Sequence, residues 1–365
     1  MVLVTKLTQR LGIQHPIIQG GMHYVGYAPL AAAVTNAGAI GMVTALTQPN
    51  SEALRTEIQK AKSLLKSPDL PIGVNLTVLP QLNAPDYPAI IQVLIDEKIR
   101  CVETAGSPKC AELWAMLKAA DKDVCIIHKC TTLRHSLKAQ SLGCDMISLD
   151  GFDCAGHPGE TDVGNFVLQP IAAKQLGVPY VTSGGVGDGK QLAASLAMGA
   201  EGVNMGTRFM ATVEAPIHEK IKQALVEGNE NSTQLVMRTL KNTERVYKNK
   251  TSDEVLRIEA EHPGQIDKIY HLVKGDVSRC AGCFFWSRSV CPWAGQRWPA
   301  LVCEPCTAWR PCQLSLACSA LPAQPHLLSP AGSASPLASR AVCRTIGPAS
   351  RRREISTRVS GRVAQ

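Results

Sequence analysis

Two glycine-rich turns carry the strongest chemical signal in this 365-residue chain: Ser183-Gly184-Gly185-Val186-Gly187-Asp188-Gly189 and Asn204-Met205-Gly206-Thr207-Arg208. With no side chains in the way, their backbone N–H groups can approach a phosphate closely, and a helix starting behind the turn offers its positive end. Thr207 adds a hydroxyl donor. The plainer reading is a pair of tight turns with no ligand. A second signal is the run Gly151-Phe152-Asp153-Cys154-Ala155-Gly156-His157-Pro158-Gly159-Glu160. His157 lies between Gly156 and Pro158-Gly159, on a shaped loop. An imidazole titrating near neutrality can take a proton from a substrate carbon there, or stabilise charge on a substrate oxygen. The plainer reading is an exposed histidine without a role. His128 and His135 lack this context and read as structural.

These residues need a frame to bring them together. Short apolar runs at 15–20, 40–44, 71–76, 101–104, 125–130, 145–150, 179–184 and 202–207 read as strands. Amphipathic stretches at 51–65, 108–119, 132–142 and 189–198 read as helices between them. In the last, Leu192, Leu196 and Met198 recur near helical spacing, and Gly199 stands where a C-terminal glycine is expected. The alternation argues for a parallel sheet, and eight units argue for closure into a (β/α)₈ barrel. An open doubly wound sheet would alternate similarly. In a barrel, chemistry gathers where the strands end, here at Gln19, Gly20, Gly21, Met22, Thr44, Asn75, Thr104, Lys129, Asp150, Ser183 and Thr207. The two glycine turns then follow strands seven and eight, where such barrels bind phosphate.

Individual strand-end residues keep two readings each. The Lys129 ammonium either supports negative charge on a reduced cofactor ring or its phosphate, or pairs with a carboxylate such as Asp150. Gln19 and Asn75 are placed to hydrogen-bond a ring edge, and Met22 either lies on the ring face or packs as core. After residue 210 the pattern turns helical and polar, through HEKIKQALVEG and TSDEVLRIEAE, and predicts added helices beside the barrel over about 212–275.

Charge and cysteine divide the chain at about residue 276. Residues 277–365 hold eleven Arg, no Lys, no Asp and two Glu, whereas the first 276 balance 27 basic against 28 acidic residues. The body therefore offers no electrostatic attraction to nucleic acid or anionic membrane. No apolar run approaches the roughly 18 residues of a membrane span, and the first residues lack a secretory pattern. A soluble, cytoplasmic protein is expected. Cys101, Cys110, Cys125, Cys130, Cys144 and Cys154 read as small buried hydrophobes in a reducing compartment. No spacing in the body resembles a metal-ligand set, no G-x-S-x-G elbow occurs, and no G-x-G-x-x-G opens a helix after a strand to mark nicotinamide binding.

The ordered segments QGGM (19–22), NAGAIG (36–41), GVNL (73–76), HKC (128–130), GFDCAGHPGE (151–160), SGGVGDG (183–189) and NMGTRF (204–209) resemble the nitronate monooxygenase family, formerly called 2-nitropropane dioxygenases. The likeness runs from residue 15 to about 275. The spelling GFDCAGHPGE looks closest to a branch that includes NADH:quinone reductases. The resemblance implies a TIM barrel that binds FMN, with His157 as the active-site histidine. It also implies phosphate contacts from Gly184, Gly185, Gly206 and Thr207. Gln19, Gly20, Gly21, Met22, Asn75, Lys129, Asp150, Ala155, Gly156 and Ser183 then lie near the flavin. Two chemistries are implied: oxidation of alkyl nitronates with O2 to carbonyl compounds and nitrite, or transfer of electrons from NAD(P)H to a quinone. The fold does not decide between them.

The family pattern stops near Gly275-Asp276, where CAGCFFWSRSVCPWAGQRW replaces the glycine-rich segment and final helix of other members. The change in composition reads as a shifted reading frame or an alternative terminal exon, and residues 276–365 as an irregular or disordered tail. Cys280-x₂-Cys283 and Cys303-x₂-Cys306 match the spacing of a four-cysteine zinc site. Cys291, Cys312 and Cys318 crowd the same stretch, however, so the spacing can arise by chance, and no metal is assigned. A third function class is a flavin-free, non-catalytic product with an altered C-terminus.

Overall fold

A computed structural model describes residues 3–78 and 85–273. The tail and its cysteine pairs lie outside the described residues. Eight strands follow the expected order: β1 (Ile17–Gln19), β2 (Ile40–Thr44), β3 (Gly73–Val78), β4 (Cys101–Gly106), β5 (Cys125–Cys130), β6 (Met146–Asp150), β7 (Tyr180–Ser183) and β8 (Val203–Met205). Each runs parallel to the next, and β8 returns to β1 through the pairs Ile17–Val203, Ile18–Asn204 and Gln19–Met205. The ring is closed, which excludes the open-sheet alternative.

The helices are α1 (Lys6–Leu11), α2 (Ala28–Asn36), α3 (Ser51–Ser63), α4 (Tyr87–Asp96), α5 (Cys110–Ala120), α6 (Leu133–Ser141), α7 (Asn165–Gln175) and α8 (Gly189–Ala197). Outward-facing strand residues such as Val74, Leu76, Val102, Ile126, Ile147 and Leu149 pack with Leu54, Ile58, Ile91, Leu94 and Trp114 from these helices. The barrel is filled from below by Ile18, Ile40, Met42, Cys101, Cys125, Ile127, Met146 and Val181. Helix α1 contributes Leu7 to that same cluster. Its start is fixed by a capping box between Thr5 and Thr8, and its end by Gly12 at φ 68°.

Beyond the barrel come α9 (Thr207–Met210), α10 (Glu219–Glu227), α11 (Lys250–Glu261) and α12 (Ile266–Val273). The sequence reading of this region as helical additions missed two strands, β9 (Thr233–Val236) and β10 (Glu244–Tyr247), which pair antiparallel. Each is only four residues long and half polar, so neither gives a clear apolar alternation. Their apolar positions are used locally: Val236, Met237 and Val246 pack with Val255 and Ile269 in a small separate core. Among the described residues, no helix is long and apolar enough to cross a membrane.

Candidate active site

Strand register builds the floor of the site. Side chains alternate in and out along a strand, so the apolar plug gives way two residues later to a polar layer. At its centre is Glu103, fully buried. Its Oε1 accepts from Asn75 Nδ2 at 2.9 Å and from the Gly21 N–H at 3.4 Å, and its Oε2 accepts from Asn204 Nδ2 at 3.0 Å. Asn204 Nδ2 also reaches Ser148 Oγ at 3.1 Å, which donates to Asp150 Oδ1 at 3.3 Å. Lys129 Nζ lies 3.4 Å from Asp150 Oδ2 and 3.9 Å from Glu103 Oε1. The pairings Asn75–Glu103, Lys129–Ser148, Asp150–Ser183 and Ser183–Asn204 in adjacent strands put these groups side by side.

Burial alone would lower the Lys129 ammonium, but the carboxylates of Asp150 and Glu103 outweigh it and hold the group charged well above its ordinary range. Burial, together with the Glu103 charge, pushes the Asp150 carboxyl upward against the pull of Lys129. The salt-bridge reading of Lys129 is therefore realised, with a second carboxylate that the sequence reading did not name. Gly20 and Gly21 are required by close approach. A Cβ on Gly20 would sit 2.3 Å from Asn204 Oδ1, and one on Gly21 would sit 1.9 Å from Asn75 Cγ.

Glu103 was missed, and Thr104 placed at the mouth, because the last residue of the predicted run was taken as the facing one, whereas the inward face of β4 carries Cys101 and Glu103, in register with Asn75. Thr104 points outward. Its hydroxyl accepts from Trp114 Nε1 at 3.1 Å and lies 2.9 Å from His128 Nδ1, whose ring meets Trp114 edge-on. Burial pushes the His128 imidazole down to about 4, so it stays neutral, in its expected structural place.

Gln19 turns its amide onto backbone, donating to the Gly20 carbonyl at 2.5 Å and accepting from the Met42 N–H at 3.0 Å. Met22 is buried, with its N–H on Thr44 Oγ1 at 2.9 Å and its carbonyl accepting from the same hydroxyl at 3.1 Å.

The two glycine turns lie above this floor. Gly184 and Gly185 have φ of 93° and 73°, a left-handed conformation that only glycine adopts without strain. Asn165 Nδ2 holds the turn from below, donating to the Ser183 carbonyl at 2.7 Å and the Gly184 carbonyl at 3.0 Å. Gln191 holds it from the side, accepting from the Gly187 and Asp188 N–H groups and donating to the Gly185 carbonyl. A Cβ on Gly206 would meet nothing nearer than Met22 Sδ at 3.5 Å, so this glycine faces open space beside Met22. Thr207 opens α9, whose first N–H groups have no intrahelical acceptor.

The turn after β7 touches the histidine loop. A Cβ on Gly184 would lie 2.5 Å from the Cys154 nitrogen, and one on Gly185 would lie 3.0 Å from Asp153 Cβ. Ala155 and His157 are exposed and Gly156 is half-buried. This loop is held by the β9–β10 hairpin, which the sequence reading did not see. Gly156 and Arg245 exchange backbone hydrogen bonds in an antiparallel bridge. The Arg245 guanidinium donates to the Cys154 carbonyl at 3.2 Å and the Phe152 carbonyl at 2.9 Å, and stacks 4.8 Å from the Phe152 ring centre. The Glu160 carboxylate accepts from the Thr243 N–H and hydroxyl, and Arg238 pairs with Asp162. The six body cysteines are buried and unpaired, and burial pushes Cys154 up to about 12. Among the described residues, no group of three or more His, Cys, Asp or Glu side chains is arranged to hold a metal ion.

A closed barrel with a polar layer, two glycine turns and a histidine loop at one mouth sets the context for comparison with known proteins. A family model described as nitronate monooxygenase matches residues 4–91 and 81–265. The chain belongs to the nitronate monooxygenase family. A (3aS,4S,5R,7aS)-5-hydroxy-7a-methyl-1-oxo-octahydro-1H-indene-4-carboxyl-CoA dehydrogenase of Rhodococcus jostii is 38% identical over 232 residues, 63% of this chain and 62% of that protein. A probable nitronate monooxygenase of Staphylococcus haemolyticus is 30% identical, over 62% of this chain and 73% of that protein. The chain thus spans less than two thirds of the length of the two dehydrogenases that it matches, at 62% and 64%. Among solved structures, FabK from Thermotoga maritima superimposes with a TM-score of 0.69 at 28% identity, over 80% of this chain and 90% of that one. A nitroalkane oxidase from Streptomyces ansochromogenes shares the fold, with a TM-score of 0.61 at 23% identity. Members of this family are oxidoreductases.

Proposed function

We propose that the chain is an FMN-dependent oxidoreductase of the nitronate monooxygenase type, converting alkyl nitronates with O2 to carbonyl compounds and nitrite. The observation that carries the reading is the contact between the left-handed Gly184-Gly185 turn and the Cys154 segment of the His157 loop. It supports reading the glycine turn as a phosphate cradle that shares a rim with the His157 loop. The residues present fit FMN: Gly184, Gly185, Gly206 and the start of α9 offer backbone N–H groups to a dianion, and Gly206 leaves space beside Met22. Bound there, FMN supplies the electron-accepting chemistry.

The chain's own groups do the rest. Asn75, Lys129, Asp150 and Ser183 line the floor and would hold the ring system. Lys129 would offer it a fixed positive charge, and the apolar plug beneath would exclude water from that side. His157 holds the substrate's nitro oxygens with its ring proton, or takes the proton from the carbon of a neutral nitroalkane.

Purified protein should be yellow and should lose that colour anaerobically when mixed with propyl-2-nitronate. Protein without flavin would favour the altered, non-catalytic product, and reduction by NADH but not nitronate would favour the quinone reductase reading. His157→Ala should slow nitronate oxidation, and unchanged turnover would remove His157 from the mechanism. A second reading, dehydrogenation of a substrate without oxygen transfer, is supported by the 38% identity to a dehydrogenase. Product carbonyl formed without nitrite or oxygen uptake would select it.

A further inference from the structure

The β9–β10 hairpin does more than hold the histidine loop. Gly156 donates to the Arg245 carbonyl at 3.2 Å and accepts from the Arg245 N–H at 2.6 Å, a pair that exchanges both hydrogen bonds. The bridge is isolated, and the next residues along its antiparallel direction, His157 and Glu244, flank it on the two chains with side chains directed to the same face. Glu244 is half-buried, and burial pushes its carboxyl upward against the opposing pull of the His157 charge.

The other charges around the loop are committed elsewhere. Asp153 accepts from the Asn165 N–H, Glu160 is held by Thr243, and Asp162 is paired with Arg238. The Arg245 guanidinium is spread over Phe152, Cys154 and Thr233. Glu244, beside the bridge on β10, makes none of these contacts.

We propose that Glu244 is a positioning residue for His157: its carboxylate is the counter-charge for the proton that His157 carries at the rim. The inference rests on the acid–base reading of His157. It adds that the charge which favours the imidazolium comes from the added hairpin and not from the barrel. No bond is made or broken by Glu244. It makes transfer of the substrate proton to the imidazole more favourable, and only that proton moves.

The test uses the full-length protein and begins with a readout that needs no turnover. Diethyl pyrocarbonate modifies the neutral imidazole, so the rate at which the His157 peptide is carbethoxylated at about pH 6 reports the proton directly. Glu244→Gln should speed that reaction several-fold, Glu244→Asp should restore the parent rate, and labelling of the exposed His218 should not change. An unchanged His157 rate in Glu244→Gln, with parent-like circular dichroism, overturns the proposal. If Glu244→Gln does not fold, Glu244→Asp and Glu244→Ala are compared in its place, and equal rates in both overturn it.

Kinetics then separate the two layers. Glu244→Gln should lower kcat/KM for the nitro substrate by about tenfold in the parent, and change nothing further in the His157→Ala background. If His157→Ala has no effect, the acid–base reading itself fails. If His157→Ala slows turnover and Glu244→Gln does not, only this inference fails.

Discussion

Lys129→Met is the sharpest test of the barrel floor. At an effective dielectric near 20, a unit charge 3.4 Å from Asp150 and 3.9 Å from Glu103 gains about 5 and about 4 kcal/mol gross. Desolvation of an ammonium only 21% exposed offsets much of this. Removing one partner still leaves two buried carboxylates facing each other, a loss of about 3–5 kcal/mol in comparable cases. The variant should therefore lose about 3 kcal/mol or more at pH 8, read as a lower urea midpoint at unchanged slope and equal flavin content. The sign of the pH dependence follows from Asp150. Its carboxyl is already raised in the parent and rises further without Lys129, so the folded variant binds a proton where the unfolded chain does not. The contribution of Asp150 to the variant's stability then increases as pH falls below the raised value, by about 1.4 kcal/mol per pH unit, until the ordinary aspartate range is reached. In the parent the contribution of Asp150 has the same sign and is smaller. A loss below about 1 kcal/mol at pH 8, or a difference between the two proteins that does not narrow toward pH 5, would refute the reasoning.

Other expectations follow from the same geometry. His128, neutral in the fold with its imidazole near 4, binds a proton when unfolded but not when folded as pH drops through 6.5. The parent should lose about 3 kcal/mol between those values, and His128→Gln should lose correspondingly less in an acid-titrated urea series. Gly206→Ala should fold normally, because its Cβ has 3.5 Å of clearance, yet purify with less flavin. Gly21→Ala, whose Cβ would fall on Asn75, should lower stability measurably whether or not flavin is present. Glu103→Gln should destabilise by about 1–3 kcal/mol, because its amide presents a donor to a layer that already donates from Asn75, Asn204 and Gly21. Equal stability of parent and variant would mean that the ionised carboxylate adds nothing net.

Much of this site was legible in the sequence because barrel strands repeat a simple rule. Each apolar run ends in a polar residue, and the two glycine turns and the histidine loop stand in the run of residues that follows one. Asn75, Lys129, Asp150 and Ser183 were found that way and meet at one mouth. The rule failed at β4, where the residue that ends the predicted run, Thr104, lies on the outward face and Glu103 one position earlier points in. A glutamate inside the run Cys-Val-Glu-Thr was the available clue, since a carboxylate in an apolar strand must find donors or remain protonated. Asn204 and Ser148 give no such clue, because small polar residues serve equally well on either face. The hairpin was illegible for another reason. Its strands are four residues each and half polar, and their order comes from Arg245, Thr243 and Arg238 gripping a loop some 80 positions earlier, contacts that no local pattern encodes.

Floor and rim are held by different forces, and this bears on how the family can vary its chemistry. The floor is locked by charge-assisted bonds between strands whose register admits no slip, so a change at Glu103, Asn75 or Asn204 unsettles several partners together. The rim hangs on the hairpin through one backbone bridge and a few side-chain contacts, most of them partly exposed. Substitutions in the hairpin can therefore shift the histidine loop, and with it the substrate, while leaving the floor intact. On the proposed function, the floor would hold the redox group and the rim would select what is brought to it, a division that suits relatives named as a dehydrogenase and as a nitronate monooxygenase.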